Sequence, residues 1–565
     1  MRPRRGLAVP STLILAALVC ALALHAVCTP RSAAAATITI VNGDGANEGF
    51  NDPTPASPVG GNPGTTVGAQ RLFVFQYAAK VWGTLLKSNV EVKVFAKFDP
   101  QTCDSVSGVL GSAGPVTLVR DFSGAIFSGT WYHVALANKL AGSDLAAAQN
   151  DINATFNSGV GGANCLNVGW YYGIDGNEGS QIELLPVVIH ELGHGLGFST
   201  TTNGSTGTYL NGNPHVFDHF LFDPSVSLHW NQMTGGQRSA SAVSCGNLTW
   251  DGPLVTSRAA HYLSARPNLH VTTPAAAAGD YQVGQASFGP PLNQTGITAD
   301  IVLANDGVGV TTNGCEPIVN VVAGKIVIID RGGCTFVTKV KNAQNAGAIG
   351  VIVADSVAGC PPAGLGGTDP TISIPSVRVT QADGTKLKSN LAGLHGSLLV
   401  DPSVLAGTGA GGRVQLYAPN PFQSGSSVSH WDVSATPNLL MEPAINPDLS
   451  SDVDLTIQAF GDMGWFGASS VAEQQGGVAA FSLAQNEPNP GGTLTTVRFS
   501  IPKREKVALR VYDVSGRLIR TPVDEVLEPG PHTASIHTET LAGGVYFYKL
   551  EADGKSLSKR LVVLR

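Results

Sequence analysis

Two histidines and a glutamate stand within five residues of one another in the run Val187–Phe198, VVIHELGHGLGF. The run reads as a helix, and residues four apart on a helix lie one turn above one another. His190 and His194 therefore project from one face, where two neutral imidazoles bind one Zn²⁺. Glu191 falls beside the metal-bound water as its general base. The apolar residues before the motif bury the opposite face and hold the ligands rigid. Gly195 and Gly197 end the helix, because glycine takes the backbone conformations that a sharp exit needs. A bare H-E-x-x-H also arises by chance; the apolar approach and the glycine exit argue against chance here. These residues point to metal-dependent hydrolysis.

A catalytic zinc site needs a third protein ligand and one open position. The metzincin pattern H-E-x-x-H-x-x-G-x-x-H keeps Gly197 here but meets Thr200 where its last histidine should stand. By residue type the candidates are His215, Asp218 and His219 in NPHVFDHFLFD, then His229, His261, His270 and His430. The first cluster is nearest in sequence, yet its Phe/Leu alternation reads equally well as a buried helix or strand, where a lone histidine is more often structural. His430 lies in SVSHWDVSATPNLLMEP. His430-Trp431, Asn438 to Pro443, Leu455-Thr456-Ile457 and Asp462-Met463-Gly464-Trp465 together resemble the leishmanolysin family, as does the helix ending His190 to Phe198. The resemblance implies a metzincin whose third zinc histidine is displaced far downstream, just before a methionine turn. It makes His430 the third ligand and Met441 the methionine beneath the metal.

These residues need elements to hold them. Thr37 to Val41, Val90 to Phe98, Val116 to Val119 and Tyr132 to Ala137 read as strands, and Gln70 to Leu86 and Leu145 to Phe156 as amphipathic helices. Helix, strands, helix and then an H-E-x-x-H helix is the order of a zincin upper subdomain. In the loop Asn42 to Pro58, Asp44, Glu48 and Asp52 could hold Ca²⁺, but their spacing matches no calcium loop and a solvated acidic loop is the simpler reading.

The long gap from His194 to His430 has its own explanation. Lys325 to Asp330, Phe336 to Ala346 and Ala348 to Ala354 read as a βαβ unit with parallel strands. Asp330-Arg331-Gly332-Gly333-Cys334, Gly347-Ala348 and Ile374-Pro375-Ser376-Val377 resemble the protease-associated (PA) domain, which implies substrate binding or gating without catalytic residues. A passive spacer is the alternative. Beyond a polar linker, Thr496 to Ile501, Val507 to Asp513, His532 to His537, Gly544 to Glu551 and Ser558 to Leu564 alternate as short strands of an antiparallel sandwich. NEPNPGGTLTTVRFSIP, VYDVSGRLI, LAGGVYFYKL and KRLVVLR resemble type IX secretion sorting domains and the related Ig-like fold of a flagellar hook-capping protein. That resemblance implies delivery or surface attachment; a carbohydrate- or protein-binding sandwich is the other reading.

Met1 to Ala36 has the arginines, apolar core and small-residue exit of a signal peptide. No later stretch is long and apolar enough to cross a membrane. The formal charge is −7, and removing the four arginines of the leader takes it to −11. Nothing basic clusters, which argues against nucleic acid as a partner. Charged residues are only 13% and glycines number 68, which suits loop-rich extracellular modules. Six of the eight cysteines lie beyond the leader, an even number that reads as disulfides in an exported chain. Six cysteines allow fifteen pairings, of which Cys103 with Cys165 and Cys315 with Cys334 are the most natural, and free structural thiols are the alternative.

The expected fold is an α+β, metzincin-like zincin catalytic domain split by an α/β PA domain and followed by an all-β Ig-like sandwich. The expected boundaries are 1–36 leader, 37–268 first catalytic part, 269–401 insertion, 402–467 second catalytic part, 468–480 linker and 481–565 sorting domain. The expected function is a secreted zinc endopeptidase acting on protein or peptide substrates, with Glu191 as base, His190, His194 and His430 on the metal, and Met441 and Gly197 supporting them. The tail would engage secretion machinery. The rival is a non-catalytic surface adhesin on a zincin scaffold, which needs Glu191 lost or a fourth ligand closing the site. A zinc hydrolase of non-peptide substrates has the same ligands.

Overall fold

The computed structural model describes residues 35–444, 453–466, 481–483, 486, 494–501, 503–527, 530–539 and 541–563. The leader up to residue 34, the linker and the PNPGG turn fall outside them. The first sheet runs in the order Ile38–Asn42, Val92–Asp99, Ile152–Asn157, Gly111–Pro115. Its first three strands are parallel and Gly111–Pro115 is an antiparallel edge. The helix Val67–Leu85, capped by Thr66 through its hydroxyl on the Ala69 N–H, and the ligand helix Leu184–Leu196 pack together beside this sheet.

Two local expectations give way to tertiary pairing. The run Leu145 to Phe156, expected as a helix, is a strand over Ile152–Asn157: Ile152, Ala154 and Phe156 alternate inward, and the strand pairs on both sides. Tyr132 to Ala137, expected as a strand, gives up only Tyr132–His133 to a ladder before the chain turns into the helix Val134–Ala141. Val134, Ala135 and Leu136 suit either state, so partners decided.

One hydrophobic cluster gathers residues from Ala36 to Leu263 and again from Val414 to Phe466. Between those two stretches lies a body with its own sheet. Its order is Gly279–Gln282, Ala265–Thr273, His395–Leu405, Ile297–Leu303, Ile326–Asp330, Gly350–Ala354, Ser376–Val379, Gly284–Gln285. The strands from Ile297–Leu303 to Ser376–Val379 are mutually parallel. Both faces are covered, so Ile326 to Ile329 and Val351 to Ala354 are apolar throughout. The outermost strands of the stretch, Ala265–Thr273 and His395–Leu405, pair antiparallel with Ala265 opposite Leu405, which brings the chain back to where it left. The C-terminal stretch forms a three-stranded and a four-stranded antiparallel sheet around one core that includes Val497, Leu509, Tyr548 and Leu561. Leu518–Leu527, not expected from the sequence, is an edge strand there. Three disulfides join Cys103 to Cys165, Cys315 to Cys334 and Cys245 to Cys360.

Candidate metal centre

The ligand helix is apolar on nearly every side and is buried from Leu184 to Gly193. Trp82 donates its indole N–H to the Ile189 carbonyl, and Trp465 donates to that of Leu196, so partners from both ends of the chain fix the helix. The helix stops at Leu196 because Gly197 adopts φ +135°, a conformation that residues with a Cβ rarely take. The reversal returns the Phe198 carbonyl to His194 Nδ1 at 2.8 Å. Gly195, expected to help end the helix, lies inside it and makes room for Ile152.

His430 reaches the same place on an irregular segment. Residues 414–416 follow the insertion and hydrogen-bond to Leu248 and Trp250 on one side, while Asp432 N–H donates to Gln415 and Tyr417 N–H to the His430 carbonyl on the other. His190 Nε2 lies 3.1 Å from His194 Nε2, which lies 3.2 Å from His430 Nε2. Two nitrogens each about 2.0–2.1 Å from a tetrahedral Zn²⁺ stand roughly 3.3 Å apart, so the spacing suits that ion. Each ring has its other nitrogen on a backbone carbonyl: His190 Nδ1 on Leu440 at 2.7 Å, His194 on Phe198, and His430 on Ser426 at 2.8 Å. Those carbonyls place a proton on every Nδ1 and leave every Nε2 lone pair turned to one point. Burial holds His190 down at about 4 and His430 at about 3, and burial first, then the two rings beside it, hold His194 well below its usual value. Three neutral imidazoles at this spacing make a site for one Zn²⁺.

Met441 packs against the ligand helix at Gly193. Its sulfur is 2.8 Å from where a Cβ on Gly193 would stand, so the glycine inside H-E-x-x-H is the space Met441 occupies. The turn Leu439–Glu442 is closed by the Glu442 carboxylate on the Leu439 N–H and anchored by the Met441 carbonyl on the Trp431 N–H. Glu191 is buried and bonded to the backbone of Ala113 on the edge strand; burial pushes its carboxyl up to about 8. Neither the Gly-Ser-Ala-Gly-Pro edge strand nor the carbonyl acceptors were legible in the sequence, since such residues carry no strand pattern and a carbonyl carries no side-chain identity.

The other candidates lie elsewhere. Thr200 and Thr202 donate to Asp218, which also accepts from the His215 N–H, so this buried carboxylate is fully used. His219 is stacked on Phe127 and bonded to Thr130, His229 pairs with Asp251, and His270 with Asp280. His261 stacks edge-on against Tyr262. Asp44, Glu48 and Asp52 serve backbone N–H groups of Phe50, Phe98, Gly45 and Thr54. Among the described residues, the group of ligand-type side chains close enough to share an ion is His190, His194 and His430.

The chain carries two recognised modules. Residues 297–387 match the PA domain, and residues 488–564 match the Secretion system C-terminal sorting domain. Leucine aminopeptidase 2 of Arthroderma otae is 36% identical over 149 residues, 25% of this chain and 28% of that protein. ER degradation-enhancing alpha-mannosidase-like protein 3 of Homo sapiens is 43% identical over 74 residues, 13% of this chain and 8% of that protein. The matched stretch therefore spans little more than a quarter of such relatives at most. A peptidase and a mannosidase-like protein share no activity by name, so matches this short speak for a module rather than a catalytic domain. Among solved structures, a zinc aminopeptidase from Bacillus subtilis aligns at 24% identity over 26% of this chain and 35% of that one, with a TM-score of 0.19.

Proposed function

We propose that the chain is an exported zinc-dependent endopeptidase whose catalytic unit combines residues 37–268 and 402–467 in a leishmanolysin-like metzincin arrangement. The observation that supports this best is the arrival of His430, 236 residues beyond His194, at the Nε2 atoms of the H-E-x-x-H helix. His190, His194 and His430 would hold Zn²⁺, which would supply polarisation of a scissile carbonyl and a lowered pKa for water. Glu191 takes the proton of the attacking water on its carboxylate and hands it to the leaving amine. A dication nearby favours the ionised form that burial opposes, which brings this carboxyl toward the working pH of a base. An extended peptide pairing with the outer edge of Gly111–Pro115 would lay its backbone past Glu191. The sorting tail would hand the protein to secretion machinery and place it outside the cell or on its surface.

Hydrolysis of an internally quenched peptide, lost on chelation, restored by Zn²⁺ and absent from Glu191→Gln, tests this reading. A second reading, an aminopeptidase, draws on the name of the fungal relatives. Asp218 accepts from Thr200, Thr202 and His215 on both of its oxygens, so it offers no free carboxylate for a substrate amine. N-acetylation of the peptide separates the two, since it abolishes aminopeptidase cleavage and leaves internal cleavage intact. An adhesin would show neither, and a fourth protein ligand is not among the described residues of the centre.

A further inference from the structure

The disulfide Cys245–Cys360 crosses between two bodies: Cys245 belongs to the part that holds the metal centre, and Cys360 to the stretch inserted ahead of His430. Cys245 is the one exposed residue of the six paired cysteines. It also stands at φ +49°, an unfavourable conformation for a residue with a Cβ, so something outside its own backbone holds it there. From this cysteine a short path leads to the metal. The Cys245 N–H donates to Ala418 at 3.0 Å, and the adjacent residue, Tyr417, donates its N–H to the His430 carbonyl at 2.9 Å and accepts from Val428 at 2.7 Å. On the insertion's side, Gly359 faces the Asn420 carbonyl, in the loop that continues to Ser426. The Ser426 carbonyl is the group that orients the His430 ring. The loop is therefore bounded by the bridge at one end and by the metal ligand at the other.

We propose that Cys245 and Cys360 are positioning residues for the third metal ligand, so that the chain holds Zn²⁺ firmly only after this bridge has closed. The inference rests on the metal-centre reading above. His190 and His194 share one buried helix, with the Leu440 carbonyl on the His190 ring, whereas His430 depends on the segment from Tyr417 to Val428. Closing the bridge removes two protons and two electrons from the two thiols, and thiol–disulfide exchange passes them to a disulfide of the oxidising compartment. Before export the site would have two fixed ligands and one loose one, which keeps a hydrolase idle inside the cell that makes it.

The test compares three forms of the full chain: wild type, Cys245→Ser/Cys360→Ser, and Cys315→Ser/Cys334→Ser as a control bridge internal to the insertion. Zinc affinity is measured by competition with a chromophoric chelator, and the visible spectrum of the Co²⁺-substituted protein reports coordination. Loss of an orienting partner commonly weakens metal affinity by about 10- to 100-fold. We expect a loss of that size, with a weaker Co²⁺ band, in the first variant and wild-type behaviour in the control. Equal affinity in all three forms overturns the proposal, and so does an equal loss in both variants, which would be general destabilisation. Wild type without stoichiometric zinc would instead overturn the metal-centre reading itself. If the first variant does not fold, folded wild type is reduced stepwise with a phosphine and alkylation is mapped by mass spectrometry. Zinc release that tracks labelling of Cys245 supports the proposal; labelling without release overturns it.

Discussion

His190 and His194 are held by a single helix, whereas His430 is held by a segment with almost no regular structure. The helix fixes two ligands by local geometry: one turn separates them, and a glycine at φ +135° brings the Phe198 carbonyl back to His194. Around His430 the ring rests on the nearby Ser426 carbonyl, but the segment that carries it is fixed by contacts from far away in the chain. Leu248 and Trp250 bond to residues 414–416, which follow the insertion, and Tyr417 bonds to the His430 carbonyl. One metal centre therefore joins a locally encoded half to a half that exists only once the tertiary structure has formed. A long insertion is tolerated between them because its ends meet, with Ala265 opposite Leu405. A loop whose ends already lie together adds little closure entropy as it lengthens.

The largest effect should come from the helical half. Glu191→Gln is expected to keep zinc and lower kcat/KM by about 10²- to 10⁴-fold, the usual worth of general-base assistance. Metal content and peptide hydrolysis measured on one preparation check it, and a fully active Gln variant would remove the mechanism. Next, His430→Ala should emerge from dialysis with little zinc, since two imidazoles remain. His219→Ala, whose ring only stacks on Phe127 and bonds Thr130 and Asn231, should retain it. The reverse result would break the comparison by moving the third ligand to the 215–219 stretch.

A third prediction concerns acid and alkali in the metal-free protein. His190 and His430 are held at about 4 and about 3, below their unfolded value near 6.5, so below that value the unfolded chain binds more protons and stability falls as pH drops. Glu191 is pushed up to about 8, above its unfolded value near 4.3, so the folded chain keeps the extra proton and stability falls as pH rises between the two. Glu191→Gln should therefore unfold at a higher temperature than wild type at pH 8 when both lack metal, with a smaller gap at pH 5. An unchanged gap across that range would show that Glu191 is ionised in the folded metal-free state.

The same division explains what was legible in the sequence. The H-E-x-x-H helix, the βαβ of Ile326 to Ala354 and most of the tail strands follow from short-range periodicity, which residue types display directly. The Cys103–Cys165 and Cys315–Cys334 pairs join nearby loops and were expected; Cys245–Cys360 depends on how two bodies sit together. The run Leu145 to Phe156 suggests an amphipathic helix, yet the neighbours Val92–Asp99 and Gly111–Pro115 claim Ile152–Asn157 as a strand. His430 was reached through a resemblance in the residues around it, not through spacing. The three carbonyls that orient the rings belong to Leu440, Phe198 and Ser426, and no side-chain type announces them.

The smallest expected effect lies where the two halves touch, at Met441 against Gly193. Met441 is fully buried, and its sulfur and methyl fill the space a Cβ on Gly193 would need, at 2.8 and 3.3 Å, with Trp82 at 3.4 Å. Leucine nearly conserves methionine's volume, and such swaps usually cost less than about 1.5 kcal/mol. Met441→Leu should therefore keep its zinc and lose little stability, because the side chain supports the centre by packing and gives the metal nothing. Gly193→Ala asks more of the contact: the new methyl must displace Met441, whose neighbour Leu440 orients His190, and overpacking of this kind costs about 1–3 kcal/mol. The double variant decides whether the contact joins the halves. Residues in direct contact couple by about 0.5–3 kcal/mol. If thermal unfolding of the four proteins shows additive losses, Met441 and Gly193 act independently and the halves meet elsewhere. If the losses fall short of their sum, the methionine is the point through which the locally built ligands feel the distant one.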